Sequence, residues 1–132
     1  MNVKKSFFDT SIFIYALENN SETARNLFQQ AITDGVAGTS TITLMEYATG
    51  CLKHNRLDIL DNFRRFLKAL MFEIVPVNDV VAFKAAEIRS QYEFFKQMDA
   101  LQIAAAVVSG ANVFYTNDKQ LLQFQEIAVI RP

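Results

Sequence analysis

Hydrophobic positions along the chain switch repeatedly between the short apolar runs of strands and the three- and four-residue spacing of helices. Ser6-Phe7-Phe8 is a short run that stops at Asp9, and Ser11 to Leu17 reads as a short helix behind it. Ser21 caps a predicted second helix through about Asp34, with Ala24, Leu27, Phe28, Ala31 and Ile32 on one face and Gly35 as its stop. A brief strand is expected near Val36 to Thr39. Thr41 to Asn55 and Arg56 to Met71 follow as two helices with a bend near Asn55, the second carrying Leu60, Phe63, Leu67 and Leu70 on one stripe. Phe72 to Val77 is β-rich. Asn78 caps a predicted long helix whose buried side carries Val81, Ala85, Ile88, Tyr92 and Phe95. Met98 to Ser109 is a further helix closed by Gly110, Asn112 to Tyr115 a strand, Lys119 to Phe124 a helical turn or two, and Ile127 to Ile130 a last strand. Strands alternating with helical crossovers predict a parallel sheet covered on both faces, an α/β sandwich with right-handed connections.

Composition narrows this to one unit. The 132 residues are 51% hydrophobic and 20% charged, with no internal repeat, low-complexity tract or Pro/Gly/Ser linker, so residues 1–132 read as a single domain. A chain of this length buries roughly 68% of the surface its unfolded form exposes, enough for an ordinary core without metal or disulfide staples. The longest apolar run, Ile103 to Val108, is far short of the ~20 residues a membrane span needs. No signal-peptide core follows Lys4 and Lys5, and the single Cys51 has no partner, so a soluble, cytoplasmic protein without membrane contact is expected. A net charge of -1 supplies no global basic field, but Lys53, Arg56, Arg64, Arg65 and Lys68 against Asp58 and Asp61 leave a locally basic stretch. On composition alone a solvated helix face with Asp/Arg partners is the better account of that stretch.

The acids change the picture further. Asp9 and Asp118 each follow a predicted strand and precede helical structure, and Asp99 opens its own helix. In a parallel sheet these positions share one edge, the one at which ligands bind. Helix capping explains each aspartate singly. It does not explain Glu46, which lies inside a helix near the edge of the apolar face. Four carboxylates gathered at one edge repel and raise one another's pKa values unless a cation neutralises them. Oxygen-only donors suit a hard ion, Mg²⁺ or Mn²⁺, whose chemistry is that of phosphodiester cleavage.

In motif order the chain resembles the PIN-domain ribonucleases, and specifically the toxins of VapBC toxin–antitoxin systems. Phe8-Asp9-Thr10-Ser11-Ile12-Phe13-Ile14 is similar to the family's first strand and first aspartate. Ile42-Thr43-Leu44-Met45-Glu46-Tyr47-Ala48-Thr49-Gly50 is similar to its glutamate helix, with the glycine four residues on. Met98-Asp99-Ala100-Leu101-Gln102-Ile103-Ala104-Ala105-Ala106 resembles the third acid and its alanine-rich helix, and Tyr115-Thr116-Asn117-Asp118 the last strand motif. The resemblance spans about residues 7 to 130. It implies a three-layer α/β/α sandwich on a five-stranded parallel sheet, with Asp9, Glu46, Asp99 and Asp118 as catalytic, metal-binding acids and Ser11 and Thr116 as hydroxyl partners of the carboxylates. Asn117 beside Asp118 is a second candidate for the fourth position. The implied activity is Mg²⁺- or Mn²⁺-dependent endoribonuclease cleavage of RNA, and the implied partner is a cognate antitoxin whose basic or amphipathic tail fills the acidic pocket beside an aromatic helix, Phe83 to Phe95. One departure stands out: the family's glycine-containing loop before the third acid is replaced by Gln91-Tyr92-Glu93-Phe94-Phe95-Lys96-Gln97.

Other readings of the same residues are a PIN-fold interaction protein without chemistry, a housekeeping RNA-processing nuclease, a receiver-type phosphoacceptor and a cysteine hydrolase using Cys51 and His54. The receiver class wants an acidic pair at the end of its first strand, and Asp9 stands alone there. Mean hydropathy of +0.10 with 12 Phe implies more apolar surface than a small monomer hides, so a homodimer, an antitoxin interface or both are expected.

Overall fold

Phe7 and Phe8 are adjacent in sequence, both wholly buried, and belong to two different cores, one on each face of a sheet. The structure is a computed structural model and describes residues 3–132. Its elements are β1 (Lys4–Phe8), α1 (Thr10–Leu17), α2 (Glu22–Asp34), β2 (Gly35–Ser40), α3 (Thr41–Lys53), α4 (Leu57–Ala69), β3 (Glu73–Val75), α5 (Asp79–Gln91), α6 (Gln97–Val108), β4 (Val113–Tyr115), a 3₁₀ helix (Lys119–Gln123) and β5 (Ala128–Ile130). All four strand pairings are parallel and the spatial order is β3-β2-β1-β4-β5. The expected three-layer α/β/α sandwich is the fold. Among the described residues no helix is long and apolar enough to cross a membrane.

The two cores differ in character. On one face Phe8, Phe13, Phe28, Phe63 and Phe72 interlock between β1 and α1 to α4. On the other, Phe7 and Phe114 meet the small residues of α6, where Ala100 and Ala104 to Ala106 are wholly buried. Alanine there lets α6 lie close against the sheet, and a helix buried almost all round is what its apolar circumference requires.

Local signals worked where backbone chemistry is explicit. Ser21 accepts from Ala24 N–H and Asn78 from Val81 N–H as N-caps, and the left-handed Asn55 (φ 52°) makes the predicted bend between α3 and α4. Gly110 (φ +81°) closes α6. The basic stretch is in part a paired surface: Arg56 meets Asp58, and Arg65 meets Asp61, each at 2.9 Å.

Two expectations need correction. The predicted helix after Asn78 does not reach Phe95 but ends at Gln91. Tyr92 leaves helical geometry, its carbonyl accepts Phe95 N–H at 2.9 Å, and the Tyr92 and Phe95 rings stack at 4.9 Å. Rings at positions 92 and 95 fit a helical stripe and a tight turn equally well, so periodicity carried past the true end. The stacked rings also close this turn with no positive-φ residue, where the family uses glycine. Gly35, in turn, is more than a helix stop: it caps α2 and is already the first residue of β2. It pairs with Lys4 of β1, and a Cβ built on it would lie 2.1 Å from the Lys4 carbonyl oxygen. Gly35→Ala should therefore cost about 1–3 kcal/mol by forcing the strands apart. Gly50→Ala, where a Cβ meets nothing within 4 Å, should stabilise α3 by about 0.5–1 kcal/mol. Urea denaturation of both variants checks the opposite signs.

Candidate active site

The chain leaves β1 toward β2 and β3 on one side and returns to β4 and β5 on the other. Connections that diverge from adjacent strands leave a crevice at their carboxyl ends. Asp9 directly follows β1, and Thr116, Asn117 and Asp118 directly follow β4, so both sequence candidates stand at that crevice. α3 starts without a loop from the end of β2, where Ser40 is both the last strand residue and the N-cap, and carries Glu46 to the same edge. α6 brings Asp99 in its first turn.

Asp9 is gripped from both sides. Its Oδ1 accepts from Ser11 N–H at 3.0 Å and from the Ser11 hydroxyl, and its Oδ2 accepts from the Thr116 hydroxyl. It is also the N-cap of α1, so capping and a site role coexist. Burial raises its pKa against the lowering effect of these hydrogen bonds, and the Glu46 charge adds to the rise.

Asp99 is not an N-cap. Lys96 holds that position, and Asp99 sits half-buried inside the first turn, so the capping account of this residue is corrected. Its pKa is pushed up to about 6, by burial first and then by Asp118, Asp9 and Glu46, against a lowering effect of Lys96. The charges of the other three acids therefore all reach Asp99. Asp118 caps the 3₁₀ helix, accepting from Gln120 N–H at 2.9 Å, while its own N–H donates to Thr116 Oγ1 at 3.1 Å. Glu46 lies on the exposed side of α3, yet its Oε1 accepts from Thr10 Oγ1 at 2.6 Å.

Asp9, Glu46 and Asp99 line one open cleft of about 350 Å³ together with Thr10, Ser11 and Gln102. Asp118 lies outside that lining and acts on it through its charge on Asp99. Among the described residues no three carboxylate, His or Cys side chains are already closed into a metal shell. The donor set still fits a hard divalent ion, because Mg²⁺ keeps several waters and takes only one or two carboxylates directly. Asn117 is turned to other work: its Nδ2 donates to Tyr15 Oη at 2.5 Å and its Oδ1 accepts from Arg131 Nε at 3.2 Å. A second cleft of about 340 Å³ shares Ile14 and Glu46 with the first and runs on to Glu18, Tyr47, His54 and Arg56. Tyr47 Oη is buried there without a hydrogen-bond partner among the described residues. None of the aromatic residues of 83–95 is among the residues lining these two clefts. The Cys51 thiol is buried and its pKa is raised by that burial, the opposite of an activated nucleophile.

Sequence patterning missed Thr10 and Gln102, which line the cleft, and Thr39, Ser40 and Thr43, the buried hydroxyls beneath it. A signal was present: Gln102 is an amide in the middle of an alanine-rich apolar helix, and a polar residue there needs partners.

The electrostatics have a sign that can be measured. Because ionising Asp99 costs more in the fold than in the unfolded chain, the metal-free protein loses stability as pH rises from the ordinary 3.8 through about 6. With solvent screening at a half-exposed carboxyl the loss is about 1 kcal/mol. Urea denaturation at about pH 4.5 and about pH 7.5 should show that slope in wild type and a smaller one in Asp99→Asn.

A family model of the PIN domain matches residues 6–129. The chain belongs to the PIN-domain family. Solved structures agree on the fold. VapBC2 from Rickettsia felis bound to a DNA fragment from its promoter matches with a TM-score of 0.83 at 20% identity, covering 96% of this PIN domain and 97% of that chain. DNA-bound VapBC from Salmonella typhimurium gives 0.81 at 22% identity, over 96% and 97%. Mycobacterium tuberculosis VapC20, described as a sarcin–ricin loop cleaving toxin, gives 0.71 at 18% identity, over 93% and 98%. Comparison with curated proteins finds no match to this PIN domain.

Proposed function

We propose that the protein is a divalent-metal-dependent endoribonuclease that hydrolyses RNA phosphodiester bonds, the toxin of a VapBC-type pair held silent by a cognate antitoxin. One observation carries the reading: carboxylates from three separate elements, Asp9, Glu46 and Asp99, line a single cleft at the crevice of a PIN domain, with Asp118 coupled to them. The solved relatives support the toxin assignment, being toxin–antitoxin complexes and a toxin that cleaves RNA.

Asp9, Glu46, Asp99 and Asp118 would hold Mg²⁺ or Mn²⁺. When bound, such an ion polarises phosphate oxygens and lowers the pKa of water. The chain supplies orientation and charge. Ser11 and Thr116 fix both oxygens of Asp9, and Thr10 fixes one oxygen of Glu46. Asp99, whose pKa is pushed up to about 6 by burial and by Asp118, Asp9 and Glu46, is the carboxylate whose charge a bound cation would relieve most. The adjoining cleft continues the groove along α1, α3 and α4, giving a bound RNA strand or an antitoxin tail a path away from the acids. A basic or amphipathic tail suits its lining of Glu18, Glu46, Ile14 and Ile59.

Purified protein should cleave RNA with Mg²⁺ or Mn²⁺ and not with chelator, and the cognate antitoxin should abolish cleavage. Its expression alone should arrest growth, and fractionation should place it in the cytoplasm. No cleavage across a broad RNA panel with either metal would overturn the reading. Val80, Phe83, Phe94 and Met98 leave apolar surface exposed along α5 and the start of α6, and we place the homodimer contact there. Sedimentation of wild type and Phe83→Lys should show a dimer converted to a monomer.

A further inference from the structure

Thr10 is the first residue of α1, and among the described residues its hydroxyl is the only hydrogen-bond partner of the Glu46 carboxylate. Behind it Thr39, Ser40 and Thr43 are wholly buried and Gln102 is 3% exposed. Each hydroxyl has one proton to give, which sets the direction of the shorter bonds in the group and leaves the 3.3 Å contact between Thr10 Oγ1 and Thr43 Oγ1 without a proton.

Thr39 Oγ1 lies 2.7 Å from the Phe8 carbonyl oxygen, which can only accept, so the Thr39 proton goes there. The 2.9 Å contact between Thr39 and Thr43 then takes its proton from Thr43. With that proton committed, Thr43 Oγ1 accepts from Gln102 Nε2 at 2.7 Å. This turns Gln102 Oε1 toward Ser40, whose hydroxyl donates to it at 2.6 Å while accepting Ile42 N–H at 3.1 Å. The opposite amide orientation would leave no proton between Thr39 and Thr43. The second hydrogen of Gln102 Nε2 faces Thr10 Oγ1 at 3.5 Å, so Thr10 accepts from behind and gives its own proton forward to Glu46. The group thus runs from the carbonyl just before Asp9, through the start of α3 and the turn of α6 that follows Asp99, to the Glu46 carboxylate.

We infer that Thr10 and Gln102 are positioning residues: Gln102 sets the direction of the Thr10 hydroxyl, and Thr10 aims the Glu46 carboxylate into the cleft. The consequence for metal and RNA rests on the proposed nuclease reading, whereas the consequence for Glu46 itself stands on geometry alone.

The test reads the two separately. In metal-free protein, side-chain couplings of labelled glutamate should show one Glu46 rotamer in wild type and Thr10→Ser, and rotamer averaging in Thr10→Val and Gln102→Leu. Titrated with Mn²⁺ alone, Thr10→Val should bind about 10- to 100-fold more weakly, with Thr10→Ser restoring affinity. Gln102→Leu should weaken Mn²⁺ binding in the wild-type background and add nothing to Thr10→Val, because it acts through Thr10. A network that serves stability alone would lower Tm in Gln102→Leu with no change in Mn²⁺ affinity. Should Gln102→Leu not fold, Thr10→Val at the cleft rim carries the test. Glu46 equally ordered in all variants, or equal losses from Gln102→Leu in both backgrounds, overturns the inference. A wild type that neither binds Mn²⁺ nor cleaves RNA overturns the nuclease reading and the catalytic consequence together, while the Glu46 rotamer still decides the positioning role.

Discussion

Asp99→Asn should abolish RNA cleavage, by on the order of 10³-fold or more, while leaving the metal-free fold as stable as wild type or more stable. The two effects separate a site carboxylate from a structural one. A side chain that caps a helix loses about 0.5–2 kcal/mol when removed, but Asp99 does not cap α6, and its charge is disfavoured by burial and by Asp118, Asp9 and Glu46. Asn keeps the shape and deletes the charge, so that repulsion disappears. The same deletion removes a cation ligand, so the stabilisation by added Mg²⁺ or Mn²⁺, which follows mass action on the folded state, should shrink. Asp9 gives the useful contrast. Asp9→Ala loses a real cap and strands the Ser11 and Thr116 hydroxyls, so it should destabilise as well as inactivate, whereas Asp9→Asn should only inactivate. Thermal melts with and without metal, alongside a cleavage assay, check all three variants. An Asp99→Asn protein that cleaves normally and loses stability would remove this residue from the site.

Phe28→Ala should cost about 3–5 kcal/mol of stability, the largest effect of any single change considered, and leave cleavage per folded molecule intact at low temperature. Phe28 is 2% exposed on α2, and its ring meets Phe8 at 4.6 Å, Phe13 at 4.9 Å, Phe66 at 5.2 Å and Phe72 at 5.6 Å. Truncation leaves a void that four rings cannot all fill, because each is fixed by others of the cluster. No atom of Phe28 lines either cleft, so the loss falls on folding and not on the acids. Urea denaturation measures the first, and single-turnover cleavage at matched folded fraction measures the second. A loss below about 1 kcal/mol would mean that the sheet face tolerates the gap and that the aromatic cluster is redundant.

Much of the molecule could be read directly from residue order. Apolar spacing located every strand and helix, because each must bury one face and that face recurs at the period of the element. Caps and left-handed positions are chemical statements about single residues, and Ser21, Asn78, Asn55 and Gly110 each made theirs legibly. The parallel sheet followed from alternation, and the sheet edge was the expected meeting place of Asp9, Asp99 and Asp118; the cleft itself is lined by Asp9, Asp99 and Glu46. Resemblance then supplied the family.

Other features exist only in three dimensions. Gly35 looks like any helix stop until Lys4, far away in sequence, brings its carbonyl within 2.1 Å of the place a Cβ would take. Tyr92 and Phe95 satisfy a helical stripe that the backbone has already left, because burial constrains where rings point and not how the chain gets there. Asp99 escapes the capping role because the helix begins at a residue that no capping side chain marks. Asn117 and Asp118 are neighbours in sequence, but their surroundings divide them, one toward Tyr15 and Arg131 and one toward Asp99. The hydroxyls and amide beneath the cleft come from four elements, and a hydrogen bond between distant residues leaves no periodic trace in the chain. Sequence determined the elements, the sheet and the edge at which the acids gather, since those follow from local burial and backbone chemistry. Tertiary structure alone decided which oxygen each acid offers and what holds it, since those depend on contacts of a few ångströms between segments the chain keeps far apart.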